Sequence, residues 1–166
     1  MSSAGEKPKS KAVGCFLEHE GQFLILQRRP EEHQGGKWGL PAGGVEQGET
    51  EKEAVIREVR EETGFLIPPA KLEFLREIVF EFPEKITDFF AYRVNLDSKI
   101  AVALDSHHQA YAWVTGKECY ARDDLIKGVH GTLEKTRYAP NVAHHRDRKK
   151  HSNFPRDEIK KSLKNL

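Results

Sequence analysis

The chain is poor in cysteine, and the two it has, Cys15 and Cys119, are too far apart in sequence for a CxxC metal site and too few for a disulfide framework. A reducing, cytoplasmic setting is the expectation that follows. Long apolar runs are also missing. The stretches present are as short as Phe23-Leu24-Ile25-Leu26, far below the roughly 18 residues needed to cross a bilayer, so no membrane partner is expected. The start, Met1 to Lys11, is polar with no apolar block behind it, so no secretory signal is visible. There is no internal repeat and no excess of one charge, with 27 Lys/Arg against 26 Asp/Glu. What the chain does have is 37% hydrophobic residues over 166 positions, which suits one core and one compact domain. The balanced total conceals an asymmetry. His144 to Leu166 holds eight Lys/Arg and three acids, a net of +5, which leaves −4 on the preceding residues.

Residues 1–11 read as a disordered leader, 12–140 as the folded domain and 141–166 as a basic tail. Lys11 to Leu17 and Phe23 to Gln27 read as strands joined at His19-Glu20-Gly21. Arg28 to Gly39 is a loop with Pro30, Gly35 and Gly36, and Leu40 to Val45 is a short strand running into a tight turn. Leu72 to Phe82 and Ile86 to Leu96 read as longer strands around Pro83-Glu84-Lys85. A further strand covers Ala110 to Val114, and Asp123 to Lys127 and Thr132 to Tyr138 read as short helices. Strands mixed with few helices predict an α/β or α+β fold.

One helix is sharply marked. Thr50 with Glu53 three residues later forms a capping-box signature, Gly64 suits the stop, and the residues between contain neither Pro nor Gly. At about 100° per residue, Glu58, Glu61 and Glu62 share a face beside the core stripe of Val55, Val59 and Ile56, while Glu53, Arg57 and Arg60 fall on the far side. Like charges three and four residues apart cost a few tenths of a kcal/mol each, and the helix C-terminus disfavours acids further. On geometry alone, a solvated acidic face and a site for a hard divalent cation explain this equally well.

The spacing around the helix adds to this. Gly43, five residues, Glu49, seven residues, then Arg57-Glu58-Val59-Arg60-Glu61-Glu62-Thr63-Gly64-Phe65 matches in full the signature of the Nudix hydrolase superfamily, which the chain therefore resembles. Leu40-Pro41-Ala42-Gly43-Gly44 and Tyr111-Ala112-Trp113-Val114 are similar to the family as well. The resemblance spans roughly Lys11 to Tyr138. It implies an α/β/α sandwich with a central mixed β-sheet, and hydrolysis of a phosphoanhydride in a nucleoside diphosphate linked to another group, using Mg²⁺ with Mn²⁺ as a substitute. Carried onto matching positions, it implies Glu58, Glu61, Glu62 and the carbonyl of Ala42 as metal ligands. Glu49 and Arg57 become an ion pair that orients the acids. It also implies a general base that is Glu58 or Glu61. Relatives that draw the base from the loop before the Tyr-x-Trp strand have a glutamate there, where this chain has Asp105-Ser106-His107-His108-Gln109. Asp105 and His107 are the alternatives on that loop.

Substrate class is less legible. Where relatives favouring ADP-ribose carry a Pro, or those favouring dinucleoside polyphosphates a Tyr, this chain has Val79, Phe80, Glu81 and Phe82. Phe80 and Phe82 are candidates for stacking on a base, with core packing as the alternative, and Arg28 and Arg29 are candidates for phosphate. Trp38-Gly39-Leu40-Pro41 is similar to the MutT type, which makes a nucleoside triphosphate or modified dNTP the preferred substrate, giving a monophosphate and pyrophosphate. Dinucleoside polyphosphates, NDP-sugars or ADP-ribose, RNA 5′ ends, and a non-catalytic nucleotide- or RNA-binding module are the alternatives. The tail reads as a solubilising extension, as a short docked helix through Ile159, Leu163 and Leu166, or as a contact for nucleic acid. The His pairs 107/108 and 144/145 lack metal-ligand spacing and read as surface residues. Several relatives are dimers, so a homodimer stays open.

Overall fold

The computed structural model describes residues 5–140. The basic tail, with its three readings, and His144 and His145 lie outside the described residues. The elements in chain order are β1 (Lys9–His19), β2 (Gln22–Arg28), β3 (Trp38–Gly39), β4 (Ala42–Gly44), α1 (Glu51–Thr63), β5 (Glu73–Glu81), β6 (Ile86–Asn95), β7 (His108–Val114), α2 (Gly116–Tyr120) and α3 (Val129–Lys135).

The sheet is mixed and runs β3-β2-β1-β6-β5, with β4 added to β1 and β7 to β2. Strand β1 organises it. Along one edge it pairs in parallel with β6 from Lys9↔Ile86 to Glu18↔Asn95. Along the other it takes β4 antiparallel at Ala12 to Gly14 and then meets β2 at Glu18 and His19. Both faces of β1 are apolar because both are covered. Val13, Cys15 and Leu17 join Leu24, Leu26, Tyr92 and Val94 under the α1 residues Ala54, Val55 and Val59. Phe16 faces the other way and packs with Phe23, Ile25, Cys119, Tyr120, Val129, Leu133 and Tyr138 beneath α2 and α3. The result is an α+β fold in three layers, helix, sheet, helix. Among the described residues no helix is long and apolar enough to cross a membrane.

Helix α1 forms as its caps predict. Thr50 Oγ1 accepts from the Glu53 amide at 3.2 Å, the Glu53 carboxylate accepts from the Thr50 amide at 2.9 Å, and Gly64 closes the helix at φ 78° with its N–H on the Arg60 carbonyl. Elsewhere the boundaries move. Strand β1 begins at Lys9, inside the stretch read as leader, because the ladder to β6 continues through polar residues, and Ser10 and Thr87 hydroxyls meet at 3.0 Å. Asp123 to Lys127 is not a helix. Its backbone is taken up by Trp38, whose N–H donates to the Asp124 carbonyl and whose carbonyl accepts from Ile126 N–H. The last helix starts at Val129 rather than Thr132. The short helix α2 (Gly116–Tyr120) has a second capping box, Thr115 with Glu118.

Candidate active site

The site is built where α1 crosses the glycine-rich strand β4. A Cβ on Gly43 would lie 2.2 Å from the Glu58 carboxyl, so the missing side chain is what lets Glu58 rest against the strand backbone. One turn later Glu62 Oε2 accepts from the Ala42 N–H at 2.8 Å. Two carboxylates at i,i+4 thus dock on adjacent residues of one strand.

Arg57 ties the remaining acids together. Its Nε and Nη2 grip Glu49 at 2.7 and 2.9 Å, its Nη1 reaches Glu58 at 2.8 Å and Glu61 at 3.2 Å, and Nη2 also donates to the Gly44 carbonyl at 3.0 Å. The helical angle of its Cα puts Arg57 on the far side of α1, yet its long side chain curls back over the acid face. The fork on Glu49 is the bidentate geometry that makes guanidinium–carboxylate pairs strong. It pulls the Glu49 carboxyl down to about 2. Glu58 shifts the other way, raised by burial against the opposing pull of Arg57. Glu62 is 8% exposed, and burial lifts it well above the usual carboxylate range, with Glu58 and Asp105 adding repulsion. Among the described residues no cationic side chain lies within ion-pair distance of Glu62.

A second wall rises from the loop before β7. Asp105 Oδ1 contacts His108 Nδ1 at 2.7 Å, and ligand atoms of Glu62, Asp105 and His108 all lie within 4.8 Å of one another. His108 is 7% exposed, which corrects its reading as a surface residue. The β2–β7 register slips at Gln27/Arg28, so that Arg28 pairs with His108 and Gln109 is skipped, and such a bulge re-aims a side chain. No pattern in the sequence marks it. His107 is exposed and pairs with Glu32 at 2.8 Å, which raises its imidazole from the ordinary value. Arg28 donates to the His33 carbonyl at 2.8 Å, and its charge favours ionised Glu62. Arg29 is exposed, its backbone N–H on the His107 carbonyl.

Phe80 and Phe82 form a stacked pair with ring centroids 5.9 Å apart. Phe80 packs edge-on against Phe89 and approaches α3 closely enough that a Cβ on Gly131 would meet it at 2.9 Å. Phe82 lies beside Gly128 and is half-buried. Phe89 in turn lies across Gly14, beside Ala42. This aromatic row is on the α3 face of the sheet, opposite the α1 core.

An acid-bearing helix anchored on a glycine strand, in an α+β sandwich, defines a class of carboxylate-rich site whose oxygen donors suit hard cations. The NUDIX domain family model matches residues 8–133, and the chain belongs to that family. It is 34% identical over 74 residues to the 8-oxo-dGTP diphosphatase of Escherichia coli K12, an alignment covering 45% of this chain and 56% of that protein, so the chain spans little more than half of this relative. It is 30% identical over 109 residues to the CTP pyrophosphohydrolase of the same organism, covering 65% of this chain and 77% of the relative. Among solved structures, a MutT protein from Methanosarcina mazei Go1 superposes with a TM-score of 0.68 at 29% identity, covering 80% of this chain and 95% of that one.

Proposed function

We propose that the chain is a divalent-metal-dependent nucleotide pyrophosphohydrolase whose preferred substrate is a nucleoside triphosphate or a modified dNTP. The observation that carries this reading is the one-sided neutralisation of the acid cluster. Arg57 covers Glu49, Glu58 and Glu61, while buried Glu62 accepts from one backbone amide and, among the described residues, has no cation within ion-pair distance. A buried, unneutralised carboxylate beside another is costly, and an oxygen-only donor set suits Mg²⁺ or Mn²⁺. Glu58, Glu61, Glu62 and the Ala42 carbonyl hold the metal in this reading. The bound ion supplies charge neutralisation for the polyphosphate and lowers the pKa of the attacking water.

The protein's own groups do the rest. Glu49 holds Arg57, and Arg57 holds Glu58 and Glu61 in place, so both act on geometry. Glu58 or Glu61 takes the proton as water adds to phosphorus. The anhydride P–O bond breaks, one water is consumed, and a nucleoside monophosphate and pyrophosphate leave. Arg28 contacts a phosphate, and Phe80 and Phe82 present the apolar wall for the base. The names of the E. coli relatives, a diphosphatase of 8-oxo-dGTP and a pyrophosphohydrolase of CTP, support this substrate class.

The test is a panel with Mg²⁺ that includes each dNTP and NTP, 8-oxo-dGTP, diadenosine polyphosphates, ADP-ribose, NDP-sugars and 5′-triphosphate RNA, run beside Glu61→Gln. A triphosphate substrate should be hydrolysed, and the variant should lose about 10²–10⁴-fold in kcat. Turnover above about 1% of wild type in Glu61→Gln would refute the assignment of the acids. No hydrolysis across the panel by folded protein would refute the enzyme reading itself.

A further inference from the structure

Glu62, Asp105 and His108 come from three separate places in the chain, the last turn of α1, the loop before β7 and the first residue of β7, and converge on one point. Two of the three are more than nine-tenths buried, Glu62 at 8% exposed and His108 at 7%, and the Asp105 side chain is 20% exposed. We propose that these three side chains form a mixed nitrogen–oxygen site for a divalent transition-metal ion, adjoining the acids of α1, and that the site makes the chain prefer Mn²⁺ to Mg²⁺. This rests on the metal-dependent reading above and extends it to residues outside the family signature.

The separation of the donors fits such an ion. With bonds of about 2.1 Å, ligand atoms stand about 3 Å apart when adjacent and about 4.2 Å apart when opposite. The ligand atoms of the three residues lie within 4.8 Å of one another, close to that range. Among the described residues no cationic side chain lies within ion-pair distance of Glu62, whose carboxylate accepts from the Ala42 N–H. The ligand types decide which ion. Three carboxylates alone leave Mg²⁺ well served, but an imidazole shifts a site towards first-row transition metals. Asp105 Oδ1 and His108 Nδ1, 2.7 Å apart, stand close to the spacing of two adjacent ligand atoms on one ion. The bulge at Gln109 has a clear effect in these terms, since it turns an imidazole into the site from a position that regular pairing would give to another residue. An ordinary buried His–Asp pair explains the 2.7 Å contact but not the convergence of Glu62.

The experiment is pulsed EPR on the full chain with substoichiometric Mn²⁺ alone, read for directly bound ¹⁴N, beside calorimetric titrations with Mn²⁺ and with Mg²⁺. Wild type should show the nitrogen coupling, His108→Gln should lose it and His107→Gln should keep it. Mn²⁺ affinity should fall at least about tenfold in His108→Gln and in Asp105→Asn, with Mg²⁺ affinity changing about threefold or less in His108→Gln. Thermal melts identify a variant that fails to fold, and His108→Asn then stands in for it. Absence of ¹⁴N coupling in wild type overturns the proposal, as does coupling that survives in His108→Gln, or an unchanged Mn²⁺ affinity there. The nitrogen signal needs no substrate. If the hydrolysis panel is silent while the signal is present, the enzyme reading falls and the metal site stands. If hydrolysis occurs and the signal is absent, the reverse holds.

Discussion

Replacing Gly43 with alanine adds a methyl group 2.2 Å from the carboxyl carbon of Glu58, where an ordinary contact needs about 3.4 Å. The obstacle is the end of a flexible side chain rather than backbone, and Gly43 does not have positive φ, so the strand accepts the change and Glu58 moves. It must retreat by about 1.2 Å, enough to break its 2.8 Å bond to Arg57. Two effects on stability oppose each other. Losing a partly exposed charge-assisted hydrogen bond costs up to about 1.5 kcal/mol, and removing glycine from the unfolded chain returns about 0.4–1 kcal/mol. The melting temperature should therefore shift by no more than about 4 °C. Catalysis has no such compensation, since a misplacement of about 1 Å costs on the order of 10²-fold. Steady-state kinetics on the best panel substrate, beside a thermal melt, should show kcat reduced about 10²-fold in a protein of near-native stability. A variant within threefold of wild type would refute the claim that the strand backbone positions Glu58. A melting point lowered by ten degrees or more would show that Gly43 serves the fold instead.

The depressed Glu49 carboxyl gives a pH signature. A group lowered to about 2 from 4.5 contributes stability that is present above the higher value and lost as pH falls towards the lower one. Acid denaturation between about pH 4.5 and 2 should therefore be less steep in Glu49→Gln than in wild type, and equal slopes would contradict the pairing. Thr50→Ala removes a cap and should cost about 1 kcal/mol, lowering the melting temperature by about 2–4 °C; an unchanged melt would show that the capping box contributes nothing. Phe82→Ala should raise KM with kcat nearly unchanged. Phe80→Ala should instead lower stability by about 1–3 kcal/mol, because its ring also packs on α3 at Gly131. Identical effects from the two would show that both rings serve only the core.

The parts legible in the sequence are those specified locally. The caps of α1 name their partners three residues apart, and the acid face follows from helical periodicity, so both carried through to the structure. Arg57 shows the limit of that reasoning, since periodicity places its Cα while four side-chain torsions place its charge. His108 was hidden because its burial depends on one skipped residue in a pairing between distant strands. Asp123 to Lys127 has helix-compatible residues but is held by Trp38 through a bridge at Leu125, a tertiary contact that outweighs weak propensity. The missed α2 is different, because Thr115 and Glu118 carry the same signature that identified α1.

The parallel pairing of β1 with β6 has a kinetic consequence. Ser10 and Thr87, which meet across it, are 77 residues apart, and closing a loop of that length costs about 4 kcal/mol of chain entropy before any contact repays it. Every signature residue from Gly43 to Phe65 lies inside that loop. Helix α1 can nucleate early on its own caps, but Gly43 and Ala42 reach it only once β4 has a finished β1 to pair with. Glu58, Glu61 and Glu62 come together with the helix itself, but their docking on Gly43 and Ala42 depends on β1, so damage to the β1–β6 ladder reaches the site through the strand that β4 pairs with.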